Sequence, residues 1–222
     1  MDNTTQNITG SIEVPRSSVS STGVTAPAVT LAVTPAGLAD ATAVIDVIAG
    51  AFLNDPAWSW AFPEPAARRR WWTHCIEGAL RYPWAFKTSG FEAICVWIPP
   101  DGTEFSHDGE QRIPALLNEL VGSRAPEVAE LLGRFDRAHP RHAPHYYLSL
   151  LATAGVQRGR GLGIALLKES LARIDASHMP AYLESSNPAN NQRYEALGFV
   201  PVVCFRAPGD GPIVTGMWRQ EH

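Results

Sequence analysis

The run His145-Tyr146-Tyr147-Leu148-Ser149-Leu150-Leu151-Ala152-Thr153 leads into Arg158-Gly159-Arg160-Gly161-Leu162-Gly163, and Leu167, Leu171 and Ile174 follow at helical spacing. A mostly apolar stretch of this length reads as a central strand. The spacing after the glycines predicts a helix over 161–176 that packs one face on a sheet. Between them lies a loop whose glycines remove side chains where backbone must approach a ligand, and which can take up positive φ. The first turn of the following helix has unpaired N–H groups and the positive end of the helix dipole, which together form an anion site. Arg158 and Arg160 add charge at the same place. Strand, loop and helix therefore predict a phosphate-bearing ligand at their junction.

Two familiar phosphate loops do not fit. A dinucleotide fingerprint needs glycine at i, i+2 and i+5, and from Gly159 or Gly161 the last position falls on Ile164 or Leu166. A Walker loop needs Gly-Lys-Ser/Thr, a tripeptide absent from the chain. The acyl-CoA pattern Arg/Gln-x-x-Gly-x-Gly/Ala does fit, with Arg158, Gly161 and Gly163 at its fixed positions.

Outward from this stretch, residues 1–28 are rich in Ser, Thr, Pro and Gly without apolar period and read as a flexible tail. A domain over 29–222 begins with an alternating strand at 29–34. Helices are expected over 38–52 and 66–80, with Asn54-Asp55-Pro56-Ala57-Trp58-Ser59-Trp60 as the loop between them. Strands over 84–88 and 91–98 join through Ser89-Gly90, and Pro99-Pro100 ends the second. Apolar residues at helical spacing fill 111–138. A strand at 181–185, a helix at 188–197 and closing strands at 200–205 and 213–218 complete an α/β (mixed α+β) chain with helices covering a central twisted mixed sheet. The strand at 213–218 is a candidate for pairing across a homodimer; the sequence leaves monomer and homodimer open.

With 45% hydrophobic and 18% charged residues and a net charge of -4, the chain is expected to be a cytoplasmic globular protein without pull toward nucleic acid or membrane. Arg68-Arg69-Arg70 reads as a solvated helix face. Cys75, Cys95 and Cys204 have no metal-ligand spacing and suggest no disulfide, so no metal is expected. Cys95 reads as a small buried hydrophobe.

Leu151-Ala152-Thr153, the glycine loop, Asn187 and Tyr194-Glu195-Ala196-Leu197-Gly198-Phe199 resemble successive motifs of the GNAT N-acetyltransferases, over about residues 145–200. Within that superfamily the chain is most similar to the puromycin N-acetyltransferases and their relatives, through Ala93-Ile94-Cys95-Val96-Trp97-Ile98-Pro99-Pro100, His145-Tyr146-Tyr147-Leu148 and the stretch from Pro180 to Pro188. Gly155 departs from the proline common there, and Arg158 stands where glutamine is common. The resemblance implies the GNAT fold, acetyl-CoA as co-substrate and a primary amine of a small molecule, such as an aminonucleoside antibiotic, as acceptor. It implies that Leu151, Ala152 and Thr153 present backbone to the pantetheine arm and an amide to the thioester carbonyl. Amides of Gly159, Arg160, Gly161, Leu162, Gly163 and Ile164, beside Arg158, would hold the pyrophosphate; Asn187 would touch the arm and Tyr194 would lie near the sulfur. A peptide acetyltransferase and a non-catalytic acyl-CoA sensor remain open alternatives.

Acetyl transfer to an amine needs a base, oxyanion stabilisation and an acid for the departing thiolate. Tyr194 is the candidate acid, since a phenol with a pKa of roughly 10 stays protonated at neutral pH. Glu184, ending its strand close to the coenzyme motifs, is the first candidate base; a solvated or salt-bridged carboxylate is the competing reading. His145 has the right ordinary pKa but reads as a surface residue far from the sulfur. Asn187-Pro188 also reads as an N-cap followed by proline at the first helical position, and Gly198 as a C-cap. Asp55, Trp58, Trp97, Tyr147 and Ser149 are candidate acceptor contacts, the last two on one face of their strand.

Overall fold

The computed structural model describes residues 32–221. They belong to the unit Leu31–His222; the expected tail and the start of the strand at 29–34 lie outside the described residues. Seven strands form one sheet in the order β1-β2-β3-β4-β5-β7-β6. They are β1 (Val33–Pro35), β2 (Ala85–Thr88), β3 (Ala93–Ile98), β4 (Tyr146–Thr153), β5 (Ala181–Ser185), β6 (Val200–Arg206) and β7 (Ile213–Arg219). All neighbours pair antiparallel except β4 and β5, which run parallel.

The helices are α1 (Ala41–Ala51), α2 (Pro56–Ala61), α3 (Pro65–Ala79), α4 (His107–Val121), α5 (Ala125–Ala138), α6 (Leu162–Asp175) and α7 (Asn191–Glu195). They cover both faces of the sheet, and β3 shows why. Ile94, Val96 and Ile98 enter the core shared with α1, α3, α4 and α5. Ala93, Cys95 and Trp97 alternate into the core under α6. A strand buried on both faces must be apolar at every position, the run that the sequence displays. No helix among the described residues is long and apolar enough to cross a membrane.

Four expectations differ from the structure. Residues 56–61 form a short helix where a loop was expected, because the Asp55 carboxylate accepts from the amides of Ala57 and Trp58 (both 3.1 Å) and Pro56 suits the first helical position. Arg68 does not share a solvated face with its neighbours. Arg69 and Arg70 are exposed and paired with Asp46 and Glu119, whereas Arg68 is 4% exposed and donates to the carbonyls of Phe52, Leu53, Phe62 and Pro63. It fastens both ends of the α2 segment. His145 is buried, not a surface residue. Finally, β7 lies between β5 and β6 with both edges paired, so it cannot pair across a dimer; the sheet edges are β1 and β6.

Candidate active site

The parallel pairing of β4 with β5 runs only from Tyr146↔Ala181 to Leu148↔Leu183, after which the strands separate. A bulge helps to decide which backbone groups face the gap. Against β3, β4 is in register from Ala93↔Thr153 to Val96↔Leu150 and then shifts by one residue, so that Ser149 is the extra residue. The Ala154 amide donates to the Glu92 carbonyl (2.8 Å) on the β3 side. By antiparallel alternation Leu150 and Ala152 also face β3, which turns the amides of Leu151 and Thr153 toward the gap. Side chains follow the same shift: Leu150 and Ala152 point into the α1–α5 core, Leu151 toward the α6 core.

At the end of this gap stands the glycine loop. Gly159 and Gly161 have φ of +80° and +76°, and a Cβ at either would meet nothing within 4 Å, so the loop is both left-handed and open on its outer side. Gly163 is closed instead: a Cβ there would lie 2.5 Å from Thr153 Oγ1, so its hydrogen lets α6 pack directly on β4. Ala165 N–H reaches the Gly161 carbonyl (2.9 Å), while the amides at the α6 N-terminus before it have no place in the helical ladder. Arg158 bends away to donate to the Ala51 carbonyl, and Arg160 to Gln157.

Beyond the gap, on the α1–α5 side, the sheet walls a cavity of about 760 Å³. Trp58, Trp71, Trp72, Phe105, Phe135 and Tyr147 give it an aromatic lining; Trp58 stacks on Phe135 at 5.6 Å. Five carboxylates line it (Asp101, Glu104, Glu110, Asp136 and Glu184), of which Glu104 and Glu184 interact with each other. Glu104 accepts from Ser149 Oγ, and burial raises its pKa, an effect the Ser149 hydrogen bond opposes. The Glu184 side chain is 2% exposed, and neither oxygen has a hydrogen-bond partner. The phenols of Tyr147 and Tyr182 lie close enough to feel its charge, and burial together with that charge pushes both phenols above their ordinary range. Tyr182 donates to the Ala138 carbonyl (3.3 Å), not to Glu184. Two histidines complete this wall: His139 Nδ1 lies 3.7 Å from Glu184 Oε1, and His145 Nε2 lies 3.1 Å from His139 Nε2.

Tyr194 occupies the other side of the gap, packed with Phe199 on the α6 side. Its phenol is pushed up to about 12, mainly by burial, with Cys95 and Asp55 adding to the rise. Gly198, at φ +89°, ends α7, and the Phe199 amide reaches back to the Tyr194 carbonyl (3.2 Å). Asn187 caps the turn at Pro188–Asn190 by accepting from the Ala189 amide (3.1 Å).

Of the expected acceptor contacts, Trp58, Tyr147 and Ser149 line the cavity. Asp55 does not: it caps α2 and accepts from Ser186 Oγ (2.7 Å) at the end of β5. Trp97 lies on the opposite face of the sheet and donates from Nε1 to Ser170 Oγ (3.0 Å); strand alternation gives the cavity its neighbour Ile98 instead. Sequence reasoning passed over Glu104 and His139. Both sit in segments without a motif, and only the tertiary fold brings them to Glu184. Among the described residues no group of acidic, His and Cys side chains has the makings of a metal site.

No protein-family model matches the chain. Solved structures do. A Corynebacterium glutamicum protein described as histone acetyltransferase HPA2 and related acetyltransferase is 27% identical, with 86% of this chain and 97% of that chain covered at a TM-score of 0.62. An apo agmatine N-acetyltransferase is 14% identical over 86% and 99% of the two chains, TM-score 0.60. Arylalkylamine N-acetyltransferase 2 from Aedes aegypti is 11% identical over 87% and 100%, TM-score 0.62. The chain has the GNAT fold, the architecture of an acyl-CoA-dependent N-acetyltransferase.

Proposed function

We propose that residues 29–222 form a domain that transfers acetyl from acetyl-CoA to a primary amine of a small molecule held in the aromatic cavity. The observation that carries this reading is the gap between β4 and β5. One end meets an open glycine loop at a helix N-terminus, and its cavity side presents a buried carboxylate without a partner. These residues suit a long ligand with a pyrophosphate at one end, because the loop supplies amides and no side chains and the strand edge supplies unpaired backbone. When bound, acetyl-CoA supplies the activated acetyl group as a thioester.

The chain's own groups then have distinct tasks. Amides from Gly159 to Ile164, beside Arg158 and Arg160, hold the pyrophosphate. Backbone of Leu151 to Thr153 orients the arm, with Asn187 alongside, and the Leu151 amide faces the gap where carbonyl oxygen charge must be stabilised. Glu184 removes the proton from the acceptor nitrogen, and Tyr194 Oη holds a proton on the sulfur side. Trp58, Tyr147 and Ser149 shape the acceptor pocket. An ammonium group with an aromatic body suits an aromatic cavity containing Glu104 and Glu184. By the sequence resemblance, puromycin-like aminonucleosides are the first acceptors to test, which would make the protein a cytoplasmic resistance or detoxifying enzyme. A peptide amine is the second reading, favoured by the likeness to the Corynebacterium glutamicum protein.

The test is release of coenzyme A thiol from acetyl-CoA with puromycin, arylalkylamines, agmatine, and peptides bearing free N-termini or lysine. Turnover on a small aromatic amine is the expected result. Turnover on peptides alone overturns the acceptor, and tight acetyl-CoA binding without turnover on any member leaves the chain a sensor.

A further inference from the structure

The wall of the cavity behind Glu184 has a hydrogen-bond order that one carbonyl and a neutral His145 together fix. Ala143 offers His145 Nδ1 a carbonyl oxygen at 2.9 Å, and a carbonyl can only accept, so Nδ1 carries the proton. Burial lowers the pKa of His145, so at neutral pH its Nε2 is a bare acceptor. His139 Nε2, 3.1 Å away, must then donate to it. In neutral His139 this leaves Nδ1 as a lone pair, directed at Glu184 Oε1 across 3.7 Å. A lone pair facing a carboxylate repels it; one proton on either atom turns the contact into an ion pair or a hydrogen bond. Both Glu184 oxygens are buried with no hydrogen-bond partner.

We infer that Glu184 and His139 share a single exchangeable proton, and that His139 is the outlet for the proton Glu184 takes from the acceptor amine. The inference rests on the proposed acetyl transfer for its second half alone. The balance is simple. The ammonium N–H bond breaks, its proton passes to a Glu184 oxygen and then to His139 Nδ1, and the resulting imidazolium loses a proton to solvent. No electron changes hands. His139 is suited to the last step, because its side chain is 31% exposed while Glu184 is 2% exposed. The imidazole is also held in place: it follows the last turn of α5, stacks edge-on against Tyr147 (4.9 Å) and Tyr182 (5.1 Å), and precedes Pro140. His145 is a positioning residue that sets the tautomer, and His139 acts through Glu184. The other titratable groups facing this pair are Glu104 and Tyr147 from the cavity wall, Tyr182 from β5, and His142 beside His145. The phenols of Tyr147 and Tyr182 stand near the Glu184 carboxylate, although neither meets full hydrogen-bond geometry with its oxygens.

Two measurements on the full chain separate this inference from the acetyltransferase reading. The first needs no turnover: nitrogen-15 imidazole spectra followed against pH. His145 is expected as the Nδ1–H tautomer and neutral His139 as the Nε2–H tautomer. Glu184→Gln is expected to move the His139 Nδ1 resonance and leave that of His145 Nδ1 in place, since it replaces the group facing His139 Nδ1. A His139 Nδ1 resonance unmoved by Glu184→Gln, or a reversed tautomer at either ring, overturns the shared proton whatever the enzyme acetylates. The second is the kcat–pH profile of His139→Gln with the best acceptor. Loss of at least about tenfold in kcat with KM within about twofold, and partial recovery with added imidazole, is expected for a lost proton outlet. A profile that matches the wild type in shape without imidazole rescue overturns the relay. If the wild type acetylates no amine, the spectra still decide the shared proton, and it is the proposed function that fails.

Discussion

Tyr194 is a residue whose chemistry depends on its surroundings. An ordinary phenol loses its proton near 10.0, and burial carries this one to about 12. A general acid is active only while protonated, so its rate falls as pH rises through its pKa; raising that pKa moves the fall upward. The account therefore predicts no alkaline limb in kcat/KM at the ordinary phenol value of 10.0. It also predicts that Tyr194→Phe lowers kcat by about a hundredfold, within the usual range for one lost acid, while acetyl-CoA affinity stays within about threefold. A steady-state pH series on both proteins checks this; an unchanged kcat in Tyr194→Phe removes the acid role. Arg68 illustrates a structural residue of equal consequence. Its buried guanidinium satisfies several carbonyls at once, so Arg68→Met is expected to cost about 3 kcal/mol by leaving those acceptors unpaired. Denaturant unfolding at neutral pH reads that loss, and a change under about 0.5 kcal/mol would contradict it.

Among the elements, the α6 N-terminus and β4 are packed through one missing side chain. Gly163→Ala would bring a Cβ to 2.5 Å from Thr153 Oγ1. The helix must shift or the threonine must rotate, and such overpacking typically costs about 1–3 kcal/mol. If the amides of the same helix start hold the pyrophosphate as proposed, coenzyme A affinity falls at least about tenfold. Calorimetric titration of coenzyme A into Gly163→Ala measures this, and retained affinity would show that the loop is not the seat of the pyrophosphate. These elements were also the most legible in the sequence. The apolar runs of β3 and β4, the period of α6 and the glycines between them each have one strong local cause. The short α2 is not legible in the sequence because its local signals, Asp55 and Pro56, suit a turn as well as a helix start. Trp97 and Ile98 are equally apolar, and only the pairing register of β3 tells which one faces the cavity. The charge pair of Arg69 and Arg70 was legible, but the inward turn of Arg68 depends on carbonyls supplied by α1 and the α2 segment.

Across the whole described unit, the proposed site lies where the sheet fails to close. The sheet has six strand junctions, five antiparallel and one parallel, and the parallel one parts after Leu148↔Leu183. The glycine loop lies at one end of the opening, Tyr194 on the α6 side, and the aromatic cavity with Glu184, Glu104 and His139 on the other. No sequence window contains this arrangement, because its members come from α5, β4, β5, α7 and the segment after β3. The central claim, that the opening between β4 and β5 seats acyl-CoA, is tested most directly by a crystal structure of the protein with coenzyme A. The account predicts the pyrophosphate on the amides of Gly159 to Ile164 and the pantetheine arm along Leu151 to Thr153, with its sulfur between Tyr194 and the cavity. A coenzyme found elsewhere, with β4 and β5 empty between them, would contradict it.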